Sequence, residues 1–261
     1  PGNGKIKAAV RMRQKARARA EADAFLAEGI KMFLEAPAQQ IREVYISESF
    51  SCPDAAVKRA VLEKAGALPC ETVSETVFEK LSDTCSPQGI LCVMNQYHYQ
   101  LADMLREENP LLLLTEGIQD PGNLGTMLRA GEGAGIHGVI LSSDTVDMYN
   151  PKTIRATMGS VYRVPFLYTD NLLTTMKELQ RHGVRIYAAH LHGKRPYDRC
   201  DFVGGTAFLI GNEANGLKRE SAEAADLYMK IPMAGRVESL NAGMAAAVLL
   251  YEAARQRRNR I

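Results

Sequence analysis

Two stretches of the chain place polar side chains and glycines directly after apolar runs that are typical of strands. LTEGIQDPGNLGTMLRAGEGAG carries Asn123 near a predicted helix start and Arg129 six residues later. FLIGNEANGL carries Gly211 and Glu213 in a predicted turn. Glycine-rich turns expose backbone N–H and C=O groups, which can pair with the polar edges of a ligand. Both stretches are therefore candidate ligand-binding loops.

A third stretch, KIPMAGRVESLNAGMAAA, leads into the last predicted helix of the chain. It contains Ile231 and then Ser239, Leu240 and Asn241 just before a run of small residues. Each stretch alone also fits ordinary turns, an N-cap and close helix packing. In a parallel α/β sheet, however, ligands bind beyond the carboxyl ends of the strands, where all three stretches are expected.

The order of predicted elements supports such a sheet. The polar segment YHYQLADMLREENP ends in Asn-Pro and predicts a linker, which separates residues 1–100 from residues 108–261. In the second part, short apolar strands separated by helices predict an α/β fold with a parallel sheet covered on both faces. The predicted order is LLLLTEG, NLGTMLRAGEGAG, GVILSS, NPKTIRATMG, NLLTTMKELQRHG, VRIYAAH, TAFLIG, LYMKIP and a final helix.

The first part is predicted to be a smaller α/β domain. Its predicted elements are an amphipathic helix at 25–36, a strand at 41–47, a helix at 54–66, a strand and then a helix within 71–81, and a strand at 89–94.

Composition excludes several classes of protein. With 46% apolar and 24% charged residues among 261, the chain is typical of a soluble globular protein. No apolar run reaches the roughly 20 residues of a transmembrane helix, and the N-terminus lacks a signal peptide's apolar core. Five cysteines without a C-x-x-C pair indicate reduced thiols in the cytoplasm. No zinc motif is found, and HLH at 190–192 is interpreted as structural, so no metal site is predicted.

The charge is unevenly distributed although the net charge is only +2. Residues 1–20 contain basic side chains and no acidic one, and the C-terminal stretch is also basic. Basic ends on a nearly neutral chain predict a polyanion such as RNA as partner. A solvated helix face is the equally good alternative. The basic residues are Lys5, Lys7, Arg11, Arg13, Lys15, Arg17, Arg19, Arg255, Arg257, Arg258 and Arg260.

Residues 133–138, GAGIHG, match the pattern G-x-G-x-x-G. A dinucleotide fingerprint follows a strand and opens a helix, whereas these glycines follow a predicted helix and precede a strand. They therefore predict a helix C-cap and a turn. A nucleotide-dependent oxidoreductase is disfavoured, and no nucleophile elbow or P-loop occurs.

Taken in order, the three stretches resemble the three motifs of the SpoU (TrmH-type) RNA 2′-O-ribose methyltransferases of the SPOUT superfamily. The matching segments are NLGTMLRA, LIGNEANGL and IPMAGRVESLNAGMAAAVLLYE, and the resemblance covers residues 108–258. The first part resembles the accessory substrate-binding domain of this family, which is similar to ribosomal protein L30e.

The resemblance implies S-adenosylmethionine as cofactor, RNA as partner, a C-terminal trefoil knot and a homodimer. It implies that Arg129, held by Asn123, contacts the ribose 2′-oxygen or a phosphate. Because a guanidinium group does not give up its proton in proteins, it would act as a base only with phosphate assistance. Glu213 would organise the loop of the second motif, while Ser239 and Asn241 would form hydrogen bonds with the substrate or with Arg129. The implied cofactor-lining residues are Gly211, Ile231 and Leu240, and the RNA-binding candidates from the charge run are Arg11, Arg13, Lys15, Arg17 and Arg19.

The L30e-like part favours 23S ribosomal RNA over transfer RNA as the substrate. A transfer RNA 2′-O-methyltransferase and a catalytically silent RNA-binding protein of the same fold are the alternatives.

Overall fold

The computed structural model describes residues 4–259, so Arg260 of the basic C-terminal stretch lies outside the described residues. The chain forms two compact units. One contains the chain up to Tyr97 together with Asp147–Tyr162, and the other contains His98–Val146 and the chain from Arg163 onward.

Strands and helices alternate along both units. The strands are β1 (Ala24–Glu28), β2 (Ile41–Ser47), β3 (Cys70–Val73), β4 (Ile90–Asn95), β5 (Leu111–Thr115), β6 (Gly138–Ser142), β7 (Phe166–Thr169), β8 (Arg185–Ala189), β9 (Arg195–Pro196), β10 (Thr206–Ile210) and β11 (Leu227–Lys230). The helices are α1 (Gly4–Gln14), α2 (Ala16–Ala22), α3 (Ile30–Glu35), α4 (Ala55–Gly66), α5 (Glu75–Leu81), α6 (Leu101–Met104), α7 (Pro121–Ala134), α8 (Pro151–Thr157), α9 (Leu172–Arg181), α10 (Arg219–Glu223) and α11 (Ala242–Arg258).

The first unit is built on a four-stranded sheet in the order β1-β4-β2-β3. Strand β4 is antiparallel to β1 and β2, and β3 is parallel to β2. The predicted strand at 41–47 and the predicted elements at 54–66 and 71–81 are confirmed by β2, α4, β3 and α5.

The predicted helix at 25–36 is wrong in its first half. Ala24–Glu28 form β1, which pairs with β4 along its whole length. Gly29 then adopts a φ of 107°, which breaks the path before the short helix α3. The apolar spacing in this segment fits a helix, but pairing with β4 buries both faces of the segment and overrides the local preference.

The basic N-terminal segment is part of the core of this unit. Helices α1 and α2 bury Ala9, Met12 and Ala18 against the sheet cluster. Arg19, only 4% exposed, donates from Nε to Oδ2 of Asp147 at 2.8 Å and from Nη1 to the Met12 carbonyl at 2.6 Å. Arg19 is therefore engaged inside this unit and, unlike the exposed cations of the segment, does not present its guanidinium to solvent.

The segment Asp147–Tyr162 groups with the first unit although it lies within the predicted domain 108–261. Helix α8 packs against β1. The Tyr149 hydroxyl accepts from the backbone N–H of Tyr97 at 2.6 Å, and Arg19 holds Asp147. These long-range contacts have no local sequence signal.

The second unit contains a seven-stranded sheet in the order β7-β6-β5-β10-β8-β11-β9, with every neighbouring pair parallel. Alternate residues of the central strands pack against Met176 and Leu179 of α9. Helix α11 packs along α7. The predicted parallel sheet is confirmed, whereas β7 and the two-residue β9 at its edges were not predicted.

Within residues 4–259, no helix combines the length and the apolar character that crossing a membrane would require. The five cysteines are free thiols.

Candidate active site

The candidate site lies at the carboxyl edge of the second sheet. Strands β5, β10 and β11 are parallel members of that sheet and end at Thr115, Ile210 and Lys230. Each of the three motifs follows one of these strand ends, which is where ligands bind in parallel α/β sheets.

One side chain joins all three motifs. Asn123, in the first turn of α7, is only 8% exposed. Its Nδ2 donates to Oε1 of Glu213 at 2.9 Å, and its Oδ1 accepts from Nδ2 of Asn241 at 2.8 Å. Asn241 in turn caps α11, because its Oδ1 accepts from the backbone N–H of Met244. We call the series Glu213–Asn123–Asn241 the amide bridge.

Glu213 binds the amino end of α7 as well as Asn123. Its carboxylate accepts from the backbone N–H of Gln119 at 3.1 Å and of Asp120 at 3.2 Å. N–H groups at a helix start lack intrahelical partners and favour negative charge. Burial, the largest single influence, pushes the pKa of Glu213 upward. The hydrogen bonds from Asn123 and the two backbone amides together outweigh it, so the pKa lies below its ordinary value.

Arg129 lies on the exposed surface of α7, away from the amide bridge. Residues six positions apart on a helix project about 120° apart, so Asn123 and Arg129 face different directions. Both polar atoms of the Asn123 side chain are already engaged, and Arg129 makes no hydrogen bond or ion pair within the part of the chain that the structure describes. Asn123 therefore does not hold Arg129, contrary to the prediction.

Ser239 and Asn241 differ in their surroundings. Ser239 is exposed, in the loop before α11. The Nδ2 of Asn241 is directed to Asn123 and not to Arg129. The predicted bond from Asn241 to Arg129 is therefore absent among the described residues, and Asn241 instead fixes the start of α11.

Close helix packing makes the amide bridge possible. A Cβ atom on Gly243 would lie 3.4 Å from the Asn123 carbonyl oxygen and 3.3 Å from Cγ2 of Thr126. Even an alanine would therefore be a tight fit that requires its neighbours to shift by a few tenths of an ångström. The small residue at this position brings Asn241 within hydrogen-bonding distance of Asn123.

The three predicted cofactor-lining residues lie on the loops at this edge. Gly211 follows β10 directly, and a Cβ there would lie 2.4 Å from the backbone of Gly216 and Leu217, so the close turn requires glycine. Ile231 follows β11, and Leu240 precedes α11; both are half-buried.

The loop between β11 and α11 has unused main-chain groups. Among the residues that the structure describes, residues 232–240 take part in no backbone–backbone hydrogen bond. Polar backbone beside two half-buried aliphatic side chains suits a ligand with an aromatic ring and polar edges. The residues present therefore fit S-adenosylmethionine.

Two residues that sequence reasoning missed also hold these loops. Asn212 donates from Nδ2 to the Gly117 carbonyl at 2.6 Å, and Glu116 accepts from the backbone N–H of Lys218 at 2.7 Å. The sequence signal for Glu116 is its position directly after the apolar strand LLLLT, at the strand end where ligands bind in parallel sheets. No group of three or more His, Cys, Asp or Glu side chains in residues 4–259 could hold a metal ion.

Residues 110–251 match the SpoU rRNA Methylase family, and residues 3–92 match the MRM3-like substrate binding domain. The chain is similar to the 23S rRNA (guanosine(2553)-2'-O)-methyltransferase RlmP of Bacillus subtilis (strain 168), with 31% identity over 251 residues that cover 95% of each chain. The chain belongs to the SpoU rRNA methylase family.

Two solved structures share the fold. One is the AdoMet-bound rRNA methyltransferase from Sinorhizobium meliloti, with a TM-score of 0.83 and 31% identity over 97% of this chain and 95% of that chain. The other is the SpoU methyltransferase AviRb from Streptomyces viridochromogenes in complex with AdoMet. It has a TM-score of 0.86 and 25% identity, over 98% of this chain and 99% of that chain.

The lowered pKa of Glu213 leads to a prediction on stability. A carboxyl group whose pKa is lower in the folded chain stabilises the fold above its ordinary pKa of 4.5 and loses this contribution as the pH falls through the folded value. Glu213→Gln should therefore unfold more easily than the wild type at neutral pH, and the difference should shrink below pH 4.5. Denaturant unfolding at several pH values measures it, with Glu178→Gln as the exposed control. A difference that is independent of pH would contradict the prediction.

Proposed function

We propose that this chain transfers a methyl group from S-adenosylmethionine to a ribose 2′-hydroxyl of RNA, with 23S ribosomal RNA as the substrate. The observation that carries the proposal is the amide bridge, which links all three motif segments at one edge of the sheet. Membership of the SpoU family and the 23S rRNA activity named for a relative of nearly equal length support it. The proposed location is the cytoplasm, which suits a ribosomal RNA substrate.

Each group of residues has a separate task in this mechanism. Gly211, Ile231 and Leu240 hold the cofactor through main-chain groups and aliphatic contact. When bound, S-adenosylmethionine supplies a methyl group that its sulfonium already activates, so the protein's work is to position the ribose oxygen and remove its proton.

Arg129 is the residue proposed to contact the RNA. Its exposed guanidinium is suited to a phosphate or to the developing negative charge on the 2′-oxygen. Because a guanidinium group in a protein donates hydrogen bonds and does not accept a proton, Arg129 orients the ribose oxygen, and the 2′-hydroxyl proton passes to a phosphate oxygen of the RNA and from there to water. Ser239, exposed on the loop before α11, donates to the same RNA segment.

The alternatives are less well supported. A catalytically silent protein would not need the set Asn123, Arg129, Glu213, Ser239 and Asn241, which is complete here. A transfer RNA substrate has less support, because the relative that matches 95% of this chain is named for 23S rRNA.

Arg129→Ala tests the catalytic assignment. Loss of a charge-stabilising group should reduce methyl transfer to 23S rRNA by about a hundredfold or more, while the affinity for S-adenosylmethionine stays within about twofold. Labelled methyl transfer and calorimetry measure the two effects. Arg181→Ala, which removes an exposed arginine of α9, is the matched control. Turnover of Arg129→Ala within about tenfold of the wild type would remove Arg129 from the mechanism.

The proposed assembly is a homodimer formed through α11. Within each chain, the C-terminal trefoil knot of the family is also proposed. Met244 and Tyr251 are 56% and 49% exposed on this helix, and Val248 lies between them. Spacings of four and three residues place these side chains on one stripe. An apolar stripe of this kind is suited to packing against its copy in a second chain.

Sedimentation at micromolar concentration tests the dimer. The wild type should have about twice the chain mass, whereas Tyr251→Glu should sediment as a monomer because a carboxylate would be buried in the interface. Lys177→Glu on the exposed side of α9 is the control for a changed surface charge. A wild-type monomer would contradict the proposal.

The first unit is proposed to bind the RNA through the exposed side of its basic segment. Lys7 and Arg11 are exposed one turn apart on α1, and Lys15 follows the helix. Arg13 is half-buried and donates to the Ser82 carbonyl, and Arg17 pairs with Glu21, so these two contribute less. The match of residues 3–92 to a substrate-binding domain supports this assignment.

Salt dependence tests the RNA contact. Because α1 belongs to the core, charge removal is more informative than deletion of the segment. If Lys7 and Arg11 each neutralise one phosphate, Lys7→Gln/Arg11→Gln should flatten the slope of log affinity against log salt by about 1.4 to 1.8. Lys58→Gln/Arg59→Gln on α4 removes the same charge as a control. Equal slopes for the two variants would show that the basic segment is only a solvated face.

A further inference from the structure

The loop of residues 211–218, here called the cofactor loop, is fixed at three points within the second unit. Asn212 bonds the Gly117 carbonyl at the near end of the loop. Glu213 bonds the start of α7 at its tip. The far end is held by Glu116, a residue outside the three family motifs quoted above.

Glu116 reaches across the loop from a fixed backbone position. Its own N–H donates to the Ile210 carbonyl at 2.9 Å, which ties it to the end of β10. Its Oε2 accepts from the backbone N–H of Lys218 at 2.7 Å, and its Oε1 accepts from the Ser221 hydroxyl. Glu116 therefore links the strand end before the loop, through its backbone N–H, to the residues after the loop, through its side chain.

Because Glu116 is buried, its carboxylate oxygens need these hydrogen bonds. The residue is only 3% exposed, and a buried carboxylate is stable only with its oxygens bonded. The loop also closes so tightly that Gly211 touches the backbone of Gly216. A shift of the far end of the cofactor loop, near Lys218, would therefore also move Gly211, which is proposed to line the cofactor.

We propose that Glu116 is a positioning residue for S-adenosylmethionine, because it holds the far end of the cofactor loop in the conformation that binds the cofactor. The inference rests on the proposed function. Glu116 acts through Lys218 and Ser221 and does not itself touch the cofactor or the RNA. Loss of its bonds should weaken cofactor binding and leave RNA binding unchanged.

Lys218 offers a matched pair of variants. Its φ of −61° is the angle that proline favours, so Lys218→Pro removes the N–H group that donates to Glu116 without requiring a change in this φ angle. Lys218→Ala keeps this N–H, and both variants remove the ion pair between Nζ and Asp144. The difference between the two variants therefore reports the bond to Glu116.

Calorimetric titration with S-adenosylmethionine gives the first readout. We expect Lys218→Pro to bind about tenfold more weakly than Lys218→Ala, since a hydrogen bond to a charged group is lost. The affinity for 23S rRNA, measured in parallel, should be equal for the two variants. Equal cofactor affinities would overturn the inference.

Two variants at position 116 give the second readout. Glu116→Gln can keep both bonds, because its amide oxygen can accept from Lys218 and its amide nitrogen can donate to the Ser221 oxygen. It should bind S-adenosylmethionine within about twofold of the wild type, and Glu116→Ala at least about tenfold more weakly. Weak binding by both would overturn positioning through these bonds. A wild type that does not bind S-adenosylmethionine would instead overturn the proposed function itself, and this inference with it.

Discussion

The site depends on the two-sided hydrogen bonding of one buried amide. Asn123 donates to Glu213 and accepts from Asn241, and only a side chain with both a donor and an acceptor can do this. An aspartate at position 123 would face the carboxylate of Glu213 with a second negative charge. A leucine would leave both neighbours without their partner, at a cost of about 1–3 kcal/mol for each group that is buried. Loops distant in sequence are therefore held by one residue.

The start of α7 explains why this arrangement is stable. Asp120 caps the helix, and Glu213 accepts from the backbone N–H groups of Gln119 and Asp120, the two residues that precede α7. Two carboxylates are tolerated there because the helix terminus presents unpaired donors and partial positive charge. Both carboxylates are engaged at the start of the helix, and Arg129, farther along α7, has no hydrogen-bond or ion-pair partner among the described residues. A cation that is not neutralised internally remains available for a phosphate.

The basic N-terminal segment has two physical roles on different faces. Ala9, Met12 and Ala18 contribute to the core of the first unit, and the buried guanidinium of Arg19 is satisfied by Asp147 and a backbone carbonyl. The cations on the opposite face stay in solvent. Net charge alone does not distinguish these faces, because it counts a buried ion pair and an exposed lysine equally.

The sequence by itself determined the parallel sheet, most of its strands, the membership of the three motifs in one family and the candidate residues Asn123, Glu213 and Asn241. Apolar strand periodicity and turn residues are local properties and can be read directly. Only the tertiary structure decided that Ala24–Glu28 pair as a strand, that Arg19 is buried and that Asn123 bonds Glu213 and not Arg129. The physical reason is the same in each case: the partner lies tens of residues away, and the free energy of pairing with it exceeds the local preference.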